Sequence, residues 1–406
     1  MRIGFDVSQT GQLKAGCGFY AYNLIRELAE LDEANEYILY PAVGDLFWDP
    51  DCDGATFQTA RANFKRAPAP KSFEESQRFW RNPPADFELQ LGNPDVFHSN
   101  NFFCPEGLRR ARLLYTLYDL SFLEEPAWTT EANRSGCFSG VFKAALYADA
   151  IVAISEFSRR HFLRIFPHYP PERVFVVYPA SRFHQFEDAP PSEKLAHLKR
   201  HGFWLNVATI EPRKNHPRLL EAYARVSSQR AEPMPLVIAG GMGWLGGEFE
   251  RSLDRLGLRD RVLLTGYISD EELRWLYQNC FAFIYPSLFE GFGMPVLEAM
   301  SLGAPVICSN TSSLPEIAGD AALLVDPLDA EALAAQMLKL CQGSVDRDRL
   351  RELGFSQARK FSWRSSARRL LELYRQTLAA PAWRSQAGVA AKLRPVSLFT
   401  RRDRAE

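Results

Sequence analysis

Short apolar runs that stop at Gly, Ser, Asp or Pro alternate with longer segments whose apolar residues recur at helical spacing, and this alternation occurs twice along the chain. Such runs fit strands covered on both faces, and their alternation with helices is the signature of βαβ units and parallel sheets. In the first half the strands are predicted at RIGFDVS (2–8), EYILYP (36–41), DVFHS (95–99), RLLYTLYD (112–119), AIVAIS (150–155) and RVFVVYP (173–179). Helical spacing falls on YAYNLIRELAEL (20–31), SGVFKAALYA (139–148) and EFSRRHFLRIF (156–166). The stretch 44–94, rich in Pro, Asp, Phe and Arg, has no such regularity and reads as a loop-rich insertion. After Pro179 the chain becomes polar and proline-bearing, which marks a domain boundary.

A second series then begins. Strands are predicted at FWLNVAT (203–209), PLVIAG (235–240), RVLLTG (261–266), FAFIYPS (281–287), PVICSN (305–310) and AALLVD (321–326). Helices interleave at PRLLEAYARVSSQ (217–229), DEELRWLYQN (270–279), MPVLEAMSLG (294–303) and DAEALAAQMLKLCQ (329–342). The fold class is therefore α/β, with two Rossmann-like doubly wound domains, and sheets of this kind bind ligands beyond the carboxyl ends of their strands. A ligand shared by the two halves belongs in the cleft between them.

Composition narrows the function without choosing it. At 406 residues the chain exceeds the usual size of one core, and 46% apolar with 24% charged residues is the balance of a soluble globular protein. Forty-eight Lys+Arg against 49 Asp+Glu argues against general nucleic-acid binding. Seven scattered cysteines, none in a C-x-x-C pair, point to free thiols in a reducing cytoplasm. No stretch is long and charge-free enough to span a bilayer, so membrane contact is expected to be peripheral. Residues 381–406 turn small and basic and read as a weakly ordered tail, solvated or touching anionic head groups.

The chemistry concentrates where the strand FAFIYPS runs into LFEGFGMPVLEAMSLG. Gly291 and Gly293 make a tight loop, and Pro295 stands where a helix begins, a place it favours because its missing N–H needs no partner there. Unpaired N–H groups and the positive end of the helix dipole suit a phosphate. Glu290 in the loop and Glu298, expected on the first helical turn, would repel phosphate but accept hydrogen bonds from a diol. Two diols flanking a diphosphate describe a nucleotide sugar. Glu298 also fits a plain first-turn acid that favours its own helix dipole. Cations come from VATIEPRKNHPRLLEAY, where Arg213 and Lys214 end a strand at the same end of the sheet; elsewhere such a pair is a solvated turn. His98 ends its strand at the matching face of the first domain, either as a satisfied structural histidine or as an acceptor or sugar contact. Asp51-Cys52-Asp53 matches the D-x-D by which another transferase architecture holds a metal, but short acidic patterns are common and no metal site is expected.

The segments NVATIEPRKN, LTGYISDEELRWLYQNC and YPSLFEGFGMPVLEAMSLGAPVICSNTSSLPEIAGDAALLVDPLD, with their spacing, resemble retaining glycosyltransferases of family 4, the GT-B group with an E-x7-E signature. The resemblance covers most of residues 200–380 and continues more weakly through GQLKAGCGFYAYNLIREL, DVFHSNNF, LYTLYDLSFLEEP and DAIVAISEFSRRHF. It implies an acceptor-binding domain over 1–183, a nucleotide-sugar domain over 184–363, and a helix near 364–380 packing back on the first domain. It further implies that Arg213 and Lys214 hold the donor diphosphate and stabilise the leaving nucleotide, the work a metal does in other transferases. Glu290 would hold hydroxyls of the transferred sugar and Glu298 the ribose hydroxyls. The backbone of Phe292, Gly293, Met294 and Pro295 would meet sugar and phosphate, and the backbone near Tyr267 and Ile268 the base. Gly16 and Gly18 would form a glycine-rich loop against the diphosphate or acceptor. Tyr118-Asp119 stands where the family frequently has His-Asp, its His touching the sugar; Tyr118 departs from the pattern, but the pair is still expected to contact acceptor or sugar, the phenol offering a hydrogen bond.

The likeness is greatest to bacterial mannosyltransferases of O-antigen or exopolysaccharide assembly. This implies GDP-mannose as donor, with a UDP-sugar as the alternative, and no permanently bound cofactor. The implied acceptor is an undecaprenyl-diphosphate-linked or other oligosaccharide at the inner membrane. A nucleotide-sugar epimerase shares the architecture and is the rival enzyme class; a non-catalytic sugar-nucleotide binder would have no need of all four of Glu290, Glu298, Arg213 and Lys214.

Overall fold

In the computed structural model, which describes residues 1–12, 14–44, 57–70, 72–183, 190–243 and 247–383, thirteen strands fall into two sheets. The first contains β1 (Arg2–Asp6), β2 (Glu36–Tyr40), β3 (Phe64–Arg66), β4 (Val96–Ser99), β5 (Arg112–Leu117), β6 (Ala150–Ala153) and β7 (Val174–Val176). Their spatial order is β3-β2-β1-β4-β5-β6-β7, parallel throughout. The second holds β8 (Trp204–Val207), β9 (Leu236–Ala239), β10 (Val262–Gly266), β11 (Ala282–Tyr285), β12 (Val306–Ser309) and β13 (Ala322–Val325), ordered β10-β9-β8-β11-β12-β13 and also parallel. Strands β4, β6, β9, β11 and β12 are buried at every residue, as strands covered by helices on both faces must be. In each sheet the chain winds outward, returns and winds the other way, so the order reverses between β1 and β4 and between β8 and β11. At these switch points adjacent loops diverge and leave a crevice.

The stretch 44–94 is more regular than its composition suggests. Strand β3 pairs with β2 through Tyr37, Ile38 and Leu39, and a helix runs over Phe73–Arg81 with the Ser72 hydroxyl accepting from the Glu75 N–H. Neither left an apolar run to read: β3 is three residues with only Phe64 buried, and the helix buries only Ser76 and Trp80. The helices Gly247–Arg255 and Arg347–Ala358 were likewise not expected, and each buries only three residues.

The closing helix Trp363–Ala379 lies on the first domain. Trp363, Ala367, Leu370, Leu373 and Tyr374 share one apolar cluster with Ile3, Phe5, Tyr20 and Leu24, and Phe292, Leu297 and Ile317 of the second domain join it. Two passages of chain are pinned together there: the Trp363 indole donates to the Ser181 carbonyl (3.0 Å), and the Ser366 hydroxyl to that of Tyr178 (2.6 Å). The carboxyl ends of the two sheets meet across this core. Among the described residues no helix is long and apolar enough to cross a membrane.

Candidate active site

Strands β8 and β11 are neighbours, pairing Ala282 with Trp204 and Phe283 with Leu205, so the loops leaving them emerge side by side at the switch point. The loop after β8 carries Glu211, Arg213 and Lys214; the loop after β11 carries Ser287 and Glu290. Asn215 takes a left-handed conformation (φ 59°), and its side-chain amide donates to the Pro286 and Pro327 carbonyls (3.0 and 2.7 Å). Asn tolerates that conformation better than other non-glycine residues. The backbone N–H of Leu288 donates to the Arg213 carbonyl (2.9 Å), so the two loops are stitched together.

Glu290 sits at the centre of this junction, 7% exposed. Its Oε1 accepts from Lys214 Nζ (2.7 Å), the Tyr285 hydroxyl (3.0 Å) and the Ser287 hydroxyl (2.6 Å), and its Oε2 from Arg213 Nη1 (3.2 Å). Burial alone would raise the carboxyl's pKa; Lys214 and Arg213 overcome it and hold the group down at about 2. Arg213 also donates to the Phe289 carbonyl and to Glu211 Oε1 (both 2.9 Å), which orients its guanidinium. The loop is braced from β12's side, where the Ser313 hydroxyl reaches the Glu290 and Phe292 carbonyls (2.9 and 2.8 Å) and the Ser312 hydroxyl accepts from the Glu290 N–H (2.9 Å).

Beyond the loop, Gly293 caps the helix Met294–Ser301 with φ 101°, a conformation that disfavours a side chain, and Pro295 lies in the first turn. Glu298 is the fifth residue of that helix and not in its first turn, so the first-turn reading of its charge does not apply. It is 2% exposed, paired with Arg182 Nε (2.9 Å) and approached by the Tyr277 hydroxyl (3.4 Å). Burial raises its pKa, with Arg182 opposing. Phe292 is buried against Tyr178 and Phe361, leaving only its backbone for a ligand. Tyr267, just past β10, is 82% exposed, while Ile268 beside it packs partly into the second domain's core.

The first domain closes over this loop. A side chain at Gly291 would place its Cβ 2.2 Å from the Tyr118 carbonyl oxygen and 2.8 Å from Asp119 Cβ, so only glycine admits the approach. The Ser155 and Ser158 hydroxyls donate to the Gly291 carbonyl (2.6 and 3.1 Å). Across the same seam the Glu316 carboxylate accepts from the backbone N–H groups of Glu156 and Phe157 (2.8 and 2.9 Å). Phe289 inserts among Trp128, Phe157 and His161. Asp119 accepts from the Ser121 N–H and hydroxyl, and its charge adds to that of Glu290 in holding Arg213 protonated against burial.

Three expectations need correction. His98 does not face the cleft: it is fully buried, Nδ1 against the Tyr374 hydroxyl (2.8 Å) and Nε2 against that of Thr116 (2.9 Å), and burial lowers its pKa to about 3. It is a neutral core histidine joining the sheet to the last helix. The Tyr118 phenol also turns inward, donating to the Asn100 carbonyl (2.7 Å) with the Cys17 carbonyl 3.2 Å away, so only its backbone meets the second domain. Gly16 and Gly18 lie in the first turn of the helix Gly16–Leu31, not in a loop ahead of it. Asp51, Cys52 and Asp53 and most of the tail (384–406) lie outside the described residues. Among those described, no group of three or more His, Cys, Asp or Glu is placed to hold a metal ion.

Glu211, Tyr285 and Ser287 escaped sequence reasoning, although Tyr285 and Ser287 flank the Pro286 that ends β11. Arg182, Ser155 and Glu316 left no signal, because Glu298, Gly291 and Glu156, which they respectively meet, lie more than a hundred residues away.

Comparison with known proteins gives the family and the fold. Residues 191–357 match the family model described as glycosyl transferases group 1, and residues 15–180 match glycosyltransferase family 4. The chain is 30% identical over 386 residues to the O-antigen chain mannosyltransferase B of Escherichia coli, covering 92% of this chain and 100% of that one. It is 31% identical over 254 residues to the serotype-specific mannosyltransferase WbdA of Escherichia coli, covering 61% of this chain and 30% of that protein. Sucrose-phosphate synthase from Thermosynechococcus elongatus shares the fold at a TM-score of 0.71 and 20% identity, covering 94% of this chain and all of the other. With both halves matched and a relative aligned over its entire length, the chain belongs to glycosyltransferase family 4, and it is a hexosyltransferase of the GT-B fold.

Proposed function

We propose that the chain transfers mannose from GDP-mannose to a hydroxyl of a lipid-linked oligosaccharide, retaining the anomeric configuration and without a metal, in the assembly of a cell-surface polysaccharide. The observation that carries the reading is the triad of Lys214, Arg213 and Glu290 at the β8/β11 switch point, two cations converging on one buried carboxylate. The mannosyltransferase relatives support the choice of sugar.

Lys214 and Arg213 take up the negative charge that grows on the β-phosphate as the bond from C1 of the sugar to phosphate oxygen breaks. The acceptor oxygen bonds C1 on the same face, and its proton passes to the departing phosphate oxygen, releasing GDP. Glu290 is held ionised by two cations and the Tyr285 and Ser287 hydroxyls, so its role is to orient Lys214 and accept hydrogen bonds from sugar hydroxyls. A carboxylate nucleophile as in retaining glycosidases is not invoked. The Gly291 contact excludes water that would waste the donor.

The test is incubation with a panel of GDP- and UDP-sugars plus a lipid-linked acceptor extract, with NMR of the product anomer and a parallel reaction in EDTA. GDP release from GDP-mannose with an α product, unchanged by EDTA, is expected. Turnover of a UDP-sugar alone would replace the donor assignment. Conversion of the free donor to its epimer would replace the reaction.

A further inference from the structure

Arg182 stands at the crossing between the two domains, in a segment whose sequence reads as a solvated linker, yet its side chain is only 15% exposed. Nε lies 2.9 Å from Glu298 Oε1 and Nη1 donates to Asp270 Oδ1 (3.0 Å). The guanidinium is stacked 4.3 Å from the ring of Phe19, which belongs to the first domain, and 5.0 Å from that of Phe183. The residue before it is anchored as well: the Ser181 hydroxyl is 2.7 Å from that of Ser301, which ends the helix bearing Glu298.

We propose that Arg182 is the positioning residue for Glu298, holding its carboxylate oriented and ionised so that the free lone pairs meet the ribose diol of a nucleoside diphosphate. This rests on the reading of Glu298 as the ribose clamp. A carboxylate offers about four acceptor positions. Arg182 Nε faces Oε1 as an ion pair and the Tyr277 hydroxyl approaches Oε2 (3.4 Å), which leaves capacity for two vicinal hydroxyls. Without a cation the carboxylate would be poorly placed to stay charged, since burial pushes its pKa up and Asp270 pushes the same way. Arg182 and, more weakly, the Tyr277 hydroxyl oppose them. Lys14, ahead of the helix Gly16–Leu31, feels both Asp270 and Arg182, so it belongs to the same charge cluster. The Phe19 stack ties the clamp to the first domain, so the carboxylate is best oriented when the domains are closed as here.

Isothermal titration of the full chain with GDP and with dideoxy-GDP, which lacks both ribose hydroxyls, tests this in the wild type, R182Q, R182K, E298Q and the R182Q/E298Q double variant. The wild type is expected to prefer GDP by about tenfold, the worth of one or two charge-assisted hydrogen bonds. R182Q is expected to lose that preference without weakening dideoxy-GDP, R182K to recover part of it, and the double variant to be no worse than E298Q. In transfer assays R182Q should raise KM for the donor with kcat within about threefold of wild type. A discriminating wild type combined with an R182Q that still discriminates, loses both probes equally, or adds its loss to that of E298Q overturns the role of Arg182 alone. A wild type that binds both probes equally removes the ribose reading of Glu298 and this proposal with it. If R182Q does not fold, R182K decides by the same comparison: full wild-type discrimination together with an unchanged donor KM overturns the proposal.

Discussion

Replacing Lys214 separates its chemical role from its structural one. Its ammonium is 2.7 Å from Glu290 Oε1 and 3.0 Å from the Tyr285 hydroxyl, and its side chain is 12% exposed. Lys214→Met keeps most of the stem and removes the charge. Removing one partner of a buried pair typically costs about 3–5 kcal/mol. Here Glu290 keeps Arg213, Tyr285 and Ser287, so about 1–2 kcal/mol is expected, the cost of a lost hydrogen bond to a charged group. Catalysis should suffer more. A preorganised donor aimed at developing charge contributes about 2.7–4 kcal/mol, or roughly 10²–10³ in kcat. The assay pairs GDP release at saturating GDP-mannose with urea denaturation, so that turnover is read on protein known to be folded. A folded variant whose kcat stays within about threefold of wild type refutes the leaving-group role, and a stability loss above about 4 kcal/mol refutes the sharing of Glu290 among its remaining partners.

Gly291→Ala should leave nucleotide binding to the second domain within about threefold but lower transfer by roughly a hundredfold or more, because the new Cβ meets the Tyr118 carbonyl and keeps the domains from closing; equal losses in both assays would contradict this. Trp363→Ala should cost about 3–5 kcal/mol in urea denaturation, since the indole is 1% exposed and donates to Ser181; a cost below about 1 kcal/mol would mean that the last helix adds little to the fold. His98 and His216 are both buried, with pKa values lowered from 6.5 to about 3, so the unfolded chain binds protons that the folded one excludes. Their stabilisation is complete above pH 6.5 and falls as pH drops towards 3, by up to about 1.4 kcal/mol per pH unit for each. Asp6 acts in the opposite sense: its pKa is raised to about 6 from 3.8, so protonation between those values favours the folded state and offsets one histidine. Urea midpoints from pH 7 to 5 should therefore fall in the wild type and, with the Asp6 contribution left, rise slightly in a His98→Gln/His216→Gln variant; parallel curves would contradict the assignment.

The local chemistry was legible because it is sequential. Most buried strands are continuous apolar runs, Gly293 and Pro295 announce a loop entering a helix, and all six predicted strands of each half appear in the sheets. What escaped was set by spacing or distance. Strand β3 is too short and too exposed to leave a pattern, and Glu298, fifth in a helix that starts at Met294 as expected, lies one residue beyond its first turn.

From the sequence alone came two doubly wound halves, the strand-loop-helix around Glu290, and the cations Arg213 and Lys214. These follow from periodicity and turn chemistry, which act over a few residues. Tertiary structure decided which charges face one another. The pairing of β8 with β11 brings Lys214 to Glu290, the crossing between domains brings Arg182 to Glu298, and burial turns His98 and the Tyr118 phenol away from the cleft. The physical reason is that a buried charge or polar group must find a partner, and that partner is chosen by the meeting of distant strand ends, which no local pattern encodes.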